Sequence, residues 1–189
     1  IILRNDAMAS ILGAFAGMFS ADAAQKGLSP LAGREGEDMA AECVTLMDDP
    51  LYPINPSPFD DEGTPSVAKA VIKDGKLETL LHNLKTAKKA GVKSTSNGGR
   101  SSAGSPVGVR ITNFYIAPKE GTLGQLISEL GDGVLLTDFS GLHAGVNPVS
   151  GKFSVLCKGR LIKDGRDVRA VNEITPVSYT HLRAHETGR

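Results

Sequence analysis

Apolar positions along the chain follow two periods, and the switches between them mark the elements. Residues 6–19 are dense in small and apolar side chains: Ala7, Met8, Ala9, Ile11, Leu12, Ala14, Phe15, Ala16 and Met18. They fall on nearly every side of a helical wheel, which predicts a helix buried all round. Residues 21–36 are punctuated by Gly, Ser and Pro and predict a loop with a helical turn. Residues 40–47 end in β-formers and are stopped by Asp48-Asp49-Pro50. Prolines at 50, 53, 56, 58 and 65 then impose a mostly extended loop.

Downstream the period shortens. Residues 68–81 predict a hairpin that turns at Lys73-Asp74-Gly75-Lys76, because Asp-Gly favours the positive φ of tight hairpin turns. Asn83 is placed to cap a short helix through Ala90, with Gly91 as its C-terminal stop. Residues 94–108, rich in Ser, Gly and Asn, predict a mobile loop. Residues 109–116 predict a strand, Thr122 and Gln125 a capping box for a helix through Leu130, and 134–139 another strand. Residues 141–151 predict a loop, followed by a second hairpin of 153–162 and 166–175. The tetrapeptide Ile-Lys-Asp-Gly at 72–75 returns at 162–165, which suggests an internal duplication of one hairpin unit. Hairpins and a few helices without regular βαβ alternation predict an α+β fold with mixed or antiparallel sheets.

Composition narrows the function classes. The chain has 189 residues, with 21 Lys+Arg against 21 Asp+Glu. A formal charge of zero argues against a nucleic-acid partner, which calls for a surplus of cations. The longest apolar stretch, 14–19, is too short to cross a bilayer, so no membrane partner is expected. Cys43 and Cys157 form no CxxC pair and are expected as reduced, buried thiols of a cytoplasmic protein. The opening Ile1-Ile2-Leu3-Arg4 lacks an initiator Met and a secretory signal, as expected from the middle of a gene product.

The stretch Pro176 to Thr187 breaks the preceding strand pattern and resembles the translated adapter of transposon-based sequencing libraries. Residues 176–189 are therefore expected to be a non-native tail on a 1–175 domain. Setting them aside removes Arg183, Arg189 and Glu186, so the net charge becomes −1. It also removes His181 and His185, whose spacing would otherwise invite a zinc reading.

Several segments resemble the TldD/PmbA family of bacterial and archaeal peptidases. They include Asp48-Asp49-Pro50, Phe59-Asp60-Asp61-Glu62-Gly63-Thr64-Pro65, Val71-Ile72-Lys73-Asp74-Gly75 and Ala87-Lys88-Lys89-Ala90-Gly91. Further on stand Lys93-Ser94-Thr95, Thr112-Asn113, Gly141-Leu142-His143-Ala144-Gly145-Val146-Asn147 and Ser150-Gly151-Lys152-Phe153-Ser154. The resemblance implies a full-length protein well over twice this size, of which the chain holds the middle and much of the C-terminal part. Active members carry His-Glu-x-x-x-His on a buried helix. Two imidazoles hold Zn²⁺, the Glu is general base, and a Cys near the C-terminus is the third ligand. Alignment places that motif on residues 4–9, with Arg4 and Ala9 at the two His positions and Asn5 at the Glu position. Arg offers no lone pair, Asn is no base near neutrality and Ala has no ligand atom. The third-ligand region lies beyond Thr175. This resembles the TldE (PmbA) branch. It implies a non-catalytic subunit without metal, paired with a zinc-holding TldD-like subunit and acting on flexible peptides, which strand addition at a sheet edge could hold. His143, Asn147 and Ser150 are its candidate contacts to peptide or partner.

Two other functions compete: an active metallopeptidase with ligands elsewhere, and an interaction protein of the kind once named gyrase modulators. Plainer roles compete for single residues. The His143 ring would bond loop backbone, and His82 would sit at the surface or at a helix start. Asp60, Asp61 and Glu62 would form a solvated turn rather than a cation site. The run Asn97-Gly98-Gly99-Arg100 lacks the GxxxxGK[ST] spacing of a phosphate loop.

Overall fold

Ile2–Leu3 (β1) leads into helix Asn5–Phe15 (α1), a 3-10 turn at Ala16–Phe19 and helix Ala21–Gln25 (α2). Strands Leu46–Asp48 (β2), Lys69–Lys73 (β3) and Lys76–Leu77 (β4) precede helix Leu84–Ala90 (α3). Next come Gly98–Gly99 (β5), Gly108–Val109 (β6), Phe114–Ile116 (β7) and helix Leu123–Leu130 (α4). The remainder holds Gly133–Ser140 (β8), Leu142–Gly145 (α5), Val146–Asn147 (β9) and Lys152–Ser154 (β10). Leu156–Lys163 (β11), Arg166–Ile174 (β12) and Val177–Ser178 (β13) follow. This computed structural model describes residues 1–178. The architecture is α+β with mainly antiparallel sheets, as the periodicity predicts.

The chain forms two units. The first takes Ile1–Phe15, Pro118–Asn147 and 151–178; the second takes Ala16–Ala117 and Pro148–Ser150. In the first, a four-stranded sheet runs β1-β8-β11-β12, and a three-stranded one runs β13-β10-β9. Helix α1 packs on β8. It buries Ala7, Ile11 and Phe15, four residues apart and so on one stripe. Ala9, Ser10 and Gly13 are exposed. The helix is amphipathic, not buried all round as the composition predicts, because its small residues fall on the open side. The loop expected at 141–151 contains α5 and β9. Gly145 is required there, since a Cβ would stand 2.2 Å from the Ser154 carbonyl oxygen.

In the second unit the main sheet runs β4-β3-β2-β7, with the β5-β6 ribbon beside it in sequence. Asn83 caps α3 reciprocally with Thr86, and Gly91 ends it in the left-handed conformation, as the sequence predicts. The strand expected over 109–116 is broken: β6 ends at Val109 and β7 begins at Phe114. Cys43 lies half-buried in a turn rather than a strand, whereas Cys157 is buried in β11 and its thiol donates to the Ile174 carbonyl.

Both Ile-Lys-Asp-Gly copies close their hairpins in the same way. Asp74 and Gly75 have φ of 47° and 81°, and Asp164 and Gly165 have 49° and 67°. These are the left-handed pairs of the tight turns that match strand twist. Ile72 faces Leu46 on one side and Leu77 on the other. Ile162 faces Gly133 and Asp167 in the same way. Each turn is tied to the residues that open the neighbouring strand. Asp74 N–H donates to Thr45 Oγ1 and Gly75 N–H to the Val44 carbonyl. Asp164 N–H donates to Asp132 Oδ1 and Gly165 N–H to the Gly131 carbonyl. Only the fourth strand differs, being antiparallel in β7 and parallel in β1.

Two polar segments expected at the surface are packed in part. Ser96, Asn97, Gly98 and Gly99 are buried, so the first half of the 94–108 run is structure and only 100–104 is continuously exposed. Asn97 Nδ2 donates to Asp48 Oδ2 at 2.7 Å and to the Arg110 carbonyl at 2.8 Å. The acidic turn is solvated in part, with Asp61 exposed and Glu62 half-buried. Asp60 is buried, accepting from the N–H groups of Glu62 and Thr64 through Oδ1 and of Gly98 through Oδ2. Asp61 accepts from Arg100 N–H, and Glu62 from Leu84 N–H at the start of α3.

Asp48 is fully buried. Thr112 donates to its Oδ1 through both N–H and Oγ1, and Lys69 Nζ stands 3.1 Å from its Oδ2. Asn97→Ala removes one donor to this carboxylate and orphans the Arg110 carbonyl. It should lower the unfolding free energy by about 2–3 kcal/mol in urea titration. A loss well under about 1 kcal/mol would mean the network does not hold the segment.

His82 does precede the α3 cap, but it is buried, and among the described residues its Nδ1 has no hydrogen-bond partner. Burial holds its pKa below the ordinary 6.5. Below that pH the unfolded chain takes up a proton that the folded chain resists, so stability falls as the medium becomes more acidic. Urea midpoints measured from about pH 8 to about pH 5 should show that slope, and His82→Leu should flatten it.

Candidate functional site

Residues 4–9, which the resemblance would place on a metal motif, start where a strand becomes a helix. Parallel pairing of β1 with Leu135 and Leu136 of β8 places the chain, and Arg4 N–H donates to the Leu136 carbonyl at 2.9 Å. The Arg4 carbonyl then accepts from Met8 N–H, opening α1. Asp6 Oδ1 accepts from the Ala7 N–H in the first turn. An acidic group there is favoured by the positive end of the helix dipole.

Arg4, Asn5 and Ala9 are all exposed. Asn5 and Ala9 are one turn apart, on the side of α1 away from the Ala7–Ile11–Phe15 stripe. Arg4 folds onto Asp6: Nε donates to Oδ1 at 2.7 Å and Nη2 to Oδ2. That fork holds the Asp6 carboxyl down at a pKa of about 2. The one carboxylate of the segment is thus occupied and weakly basic. No atom of Arg4, Asn5 or Ala9 supplies what zinc and a general base require. Among the described residues, no three of His, Cys, Asp and Glu are grouped to hold a metal ion. The residues present do not fit the zinc that the motif would carry.

The candidate contact residues are dispersed. His143 is exposed on α5, which packs against α1 in the same unit, and its ring makes no hydrogen bond among the described residues. The bond from that ring to loop backbone, its plainer role, does not form. Asn147 is exposed at the end of β9, opposite Lys152. Ser150 is exposed and falls in the second unit. His181 and His185 lie outside the described residues.

A family model described as the PmbA/TldA metallopeptidase C-terminal domain matches residues 1–179. The chain belongs to the TldD/PmbA metallopeptidase family. It is 35% identical over 164 residues to a metalloprotease of Archaeoglobus fulgidus, covering 86% of this chain and 38% of that protein. Over 178 residues it is 29% identical to a metalloprotease PmbA homolog of Haemophilus influenzae, covering 93% and 37%. Among solved structures, TldE of Thermococcus kodakarensis superposes with a TM-score of 0.76 at 30% identity, over 90% of this chain and 38% of that one. A Thermotoga maritima protein described as a modulator of a DNA gyrase superposes at 0.87 with 40% identity, over 94% and 40%. The chain therefore spans about two fifths of the length of these relatives. No helix among the described residues is long and apolar enough to cross a membrane.

Nuclear magnetic resonance titration of Asp6 should give a pKa of about 2, and Arg4→Gln should return it towards 3.8. Because the folded value is depressed, the pair's contribution is complete above the unfolded value and disappears as pH falls through the folded one.

Proposed function

We propose that this chain is part of a TldE/PmbA-like subunit that carries no zinc site and serves a TldD-like catalytic subunit in the cytoplasm. The substrate class would be flexible peptides. One observation supports the reading: Arg4, Asn5 and Ala9, the motif positions in the proposed alignment, are exposed at the start of α1, with Arg4 spent on Asp6. The likeness to TldE of Thermococcus kodakarensis supports it. Zinc, in this reading, belongs to the partner. His143 and Asn147 on the first unit and Ser150 on the second are the proposed contacts. Residues 176–189 are proposed to be non-native, with β13 as chance pairing of Val177–Ser178 on β10.

The gyrase-modulator reading rests on the likeness to the Thermotoga maritima protein and predicts protein binding without proteolysis. The complete protein, purified alone, should hold well under one zinc per chain by atomic emission and cleave no peptide. Mixed with a partner carrying His-Glu-x-x-x-His, it should support cleavage that is lost when the partner's motif is mutated. Stoichiometric zinc or cleavage by the isolated protein would overturn the proposal. A stable complex with gyrase and none with such a partner would favour the second reading.

A further inference from the structure

Within the second unit, three reactive side chains meet at one buried oxygen. Asp48 Oδ2 accepts from Asn97 Nδ2 at 2.7 Å, and Lys69 Nζ stands 3.1 Å from the same atom. Asp48 has no exposed surface, and Asn97 is buried. The Lys69 side chain is only 12% exposed. The three come from β2, β3 and the segment before β5, so no local motif in the sequence announces them.

Each group is held in place by further contacts. Thr112 donates to Asp48 Oδ1 through N–H and Oγ1, which leaves Oδ2 to the two nitrogens. Lys69 Nζ donates to the Val67 carbonyl at 3.0 Å. Asn97 Nδ2 also donates to the Arg110 carbonyl at 2.8 Å, which fixes the carboxamide plane. Asn97 Oδ1 accepts from Thr95 Oγ1 at 2.7 Å. These are the parts of an intramolecular aminolysis. There is an amine nucleophile, a carboxamide electrophile and a carboxylate beside both nitrogens. A hydroxyl donates to the oxygen on which negative charge would develop. Holding the reactants together removes much of the entropic barrier that slows such a reaction in solution.

We infer that Lys69 and Asn97 join in an isopeptide bond, with Asp48 as the proton shuttle. One proton of the Lys69 ammonium passes to Asp48 Oδ2. The freed Nζ lone pair bonds to Asn97 Cγ, and the Thr95 hydroxyl steadies the negative oxygen. Asp48 Oδ2 then gives its proton to Nδ2 and takes a second one from Nζ. The Cγ–Nδ2 bond breaks, ammonia leaves and a secondary amide remains. The step balances without an oxidant or reductant, and Asp48 ends as a neutral carboxyl. Burying charge is costly, and the product replaces a buried ion pair with groups that carry none. The bond ties β3 to the segment before β5. It closes the chain from 69 to 97 into a ring, restricting the unfolded state as a disulfide does. It involves this chain alone, so it stands apart from the proposed subunit role.

The test is exact mass measurement on the complete protein, folded and purified. Wild type should weigh one ammonia less than its sequence. Trypsin cannot cut after an acylated Lys69, so the digest should hold peptide 94–100 attached to peptide 35–73. Lys69→Arg keeps a cation beside Asp48 but lacks the amine, and it should show its full sequence mass and no attached peptide. Asp48→Asn keeps the side chain's shape but cannot carry the proton, and it should stay unlinked as well. Wild type at its full sequence mass would overturn the inference. So would an ammonia loss that persists in Lys69→Arg, which would mark a cyclic imide at Asn97-Gly98. A linked Asp48→Asn protein would overturn the shuttle.

Discussion

A buried carboxylate organises the second unit. Asp48 ends β2 with no exposed surface, and burying such a charge without partners would be prohibitive. Its partners come from three distant places in the sequence: Lys69 on β3, Asn97 before β5 and Thr112 before β7. Each bond therefore closes a long loop. Asn97 extends the network by holding Arg110 on both backbone faces, and Asp60 and Asp61 tie the acidic turn to the same segment. A charge that is fully hydrogen-bonded specifies position more than it adds net stability. Here it specifies where an irregular, glycine-rich segment must lie, which apolar packing could not do for residues with so little side chain.

The first unit repeats the same three-strand arrangement. The hairpin register and the bonds from each Asp-Gly turn to the opening of the adjacent strand are shared. Four identical residues in sequence are common turn chemistry. Two turns with matching φ angles, matching partners in register and matching donors are a longer correspondence, and they extend the likeness to the strand before each hairpin. The correspondence stops at the fourth strand, whose direction differs. The shared core of the two units is thus a strand and a hairpin, to which each unit adds its own fourth member.

What could be read from the sequence was local. The caps at Asn83 and Thr122, the stop at Gly91 and both Asp-Gly turns are set by residues within four positions of one another, and they formed as expected. What could not be read was set across distance. Nothing around Asn97 announces that Asp48 will bury it, and nothing around His82 announces burial behind the 94–97 segment that bonds its carbonyl. Polar residues in loops read as solvated because water is their ordinary partner. They are buried here because carboxylates and hydroxyls from other loops replace that water. The error on α1 has a different origin: alanines and glycines score as apolar, yet they tolerate the open side of a helix as well as the closed one.

That open side bears on the proposal that a metallopeptidase fold can be kept without its metal motif. The residues that hold α1 in place are Ala7, Ile11 and Phe15, with the Phe15 ring edge-on to Phe153 at 6.1 Å. The motif positions in the proposed alignment are 4, 5 and 9, and all three are exposed. On the proposed alignment, exchanging imidazole and carboxylate side chains there for Arg, Asn and Ala removes chemistry and disturbs no core. Arg4 even gains a local partner in Asp6, which an imidazole could match less well in a two-point fork. On that alignment the core of α1 imposes no penalty on losing the metal ligands, and selection for them would have to come from catalysis alone. A subunit whose partner performed the catalysis would be released from that selection, and membership in the family fixes the scaffold without fixing the activity.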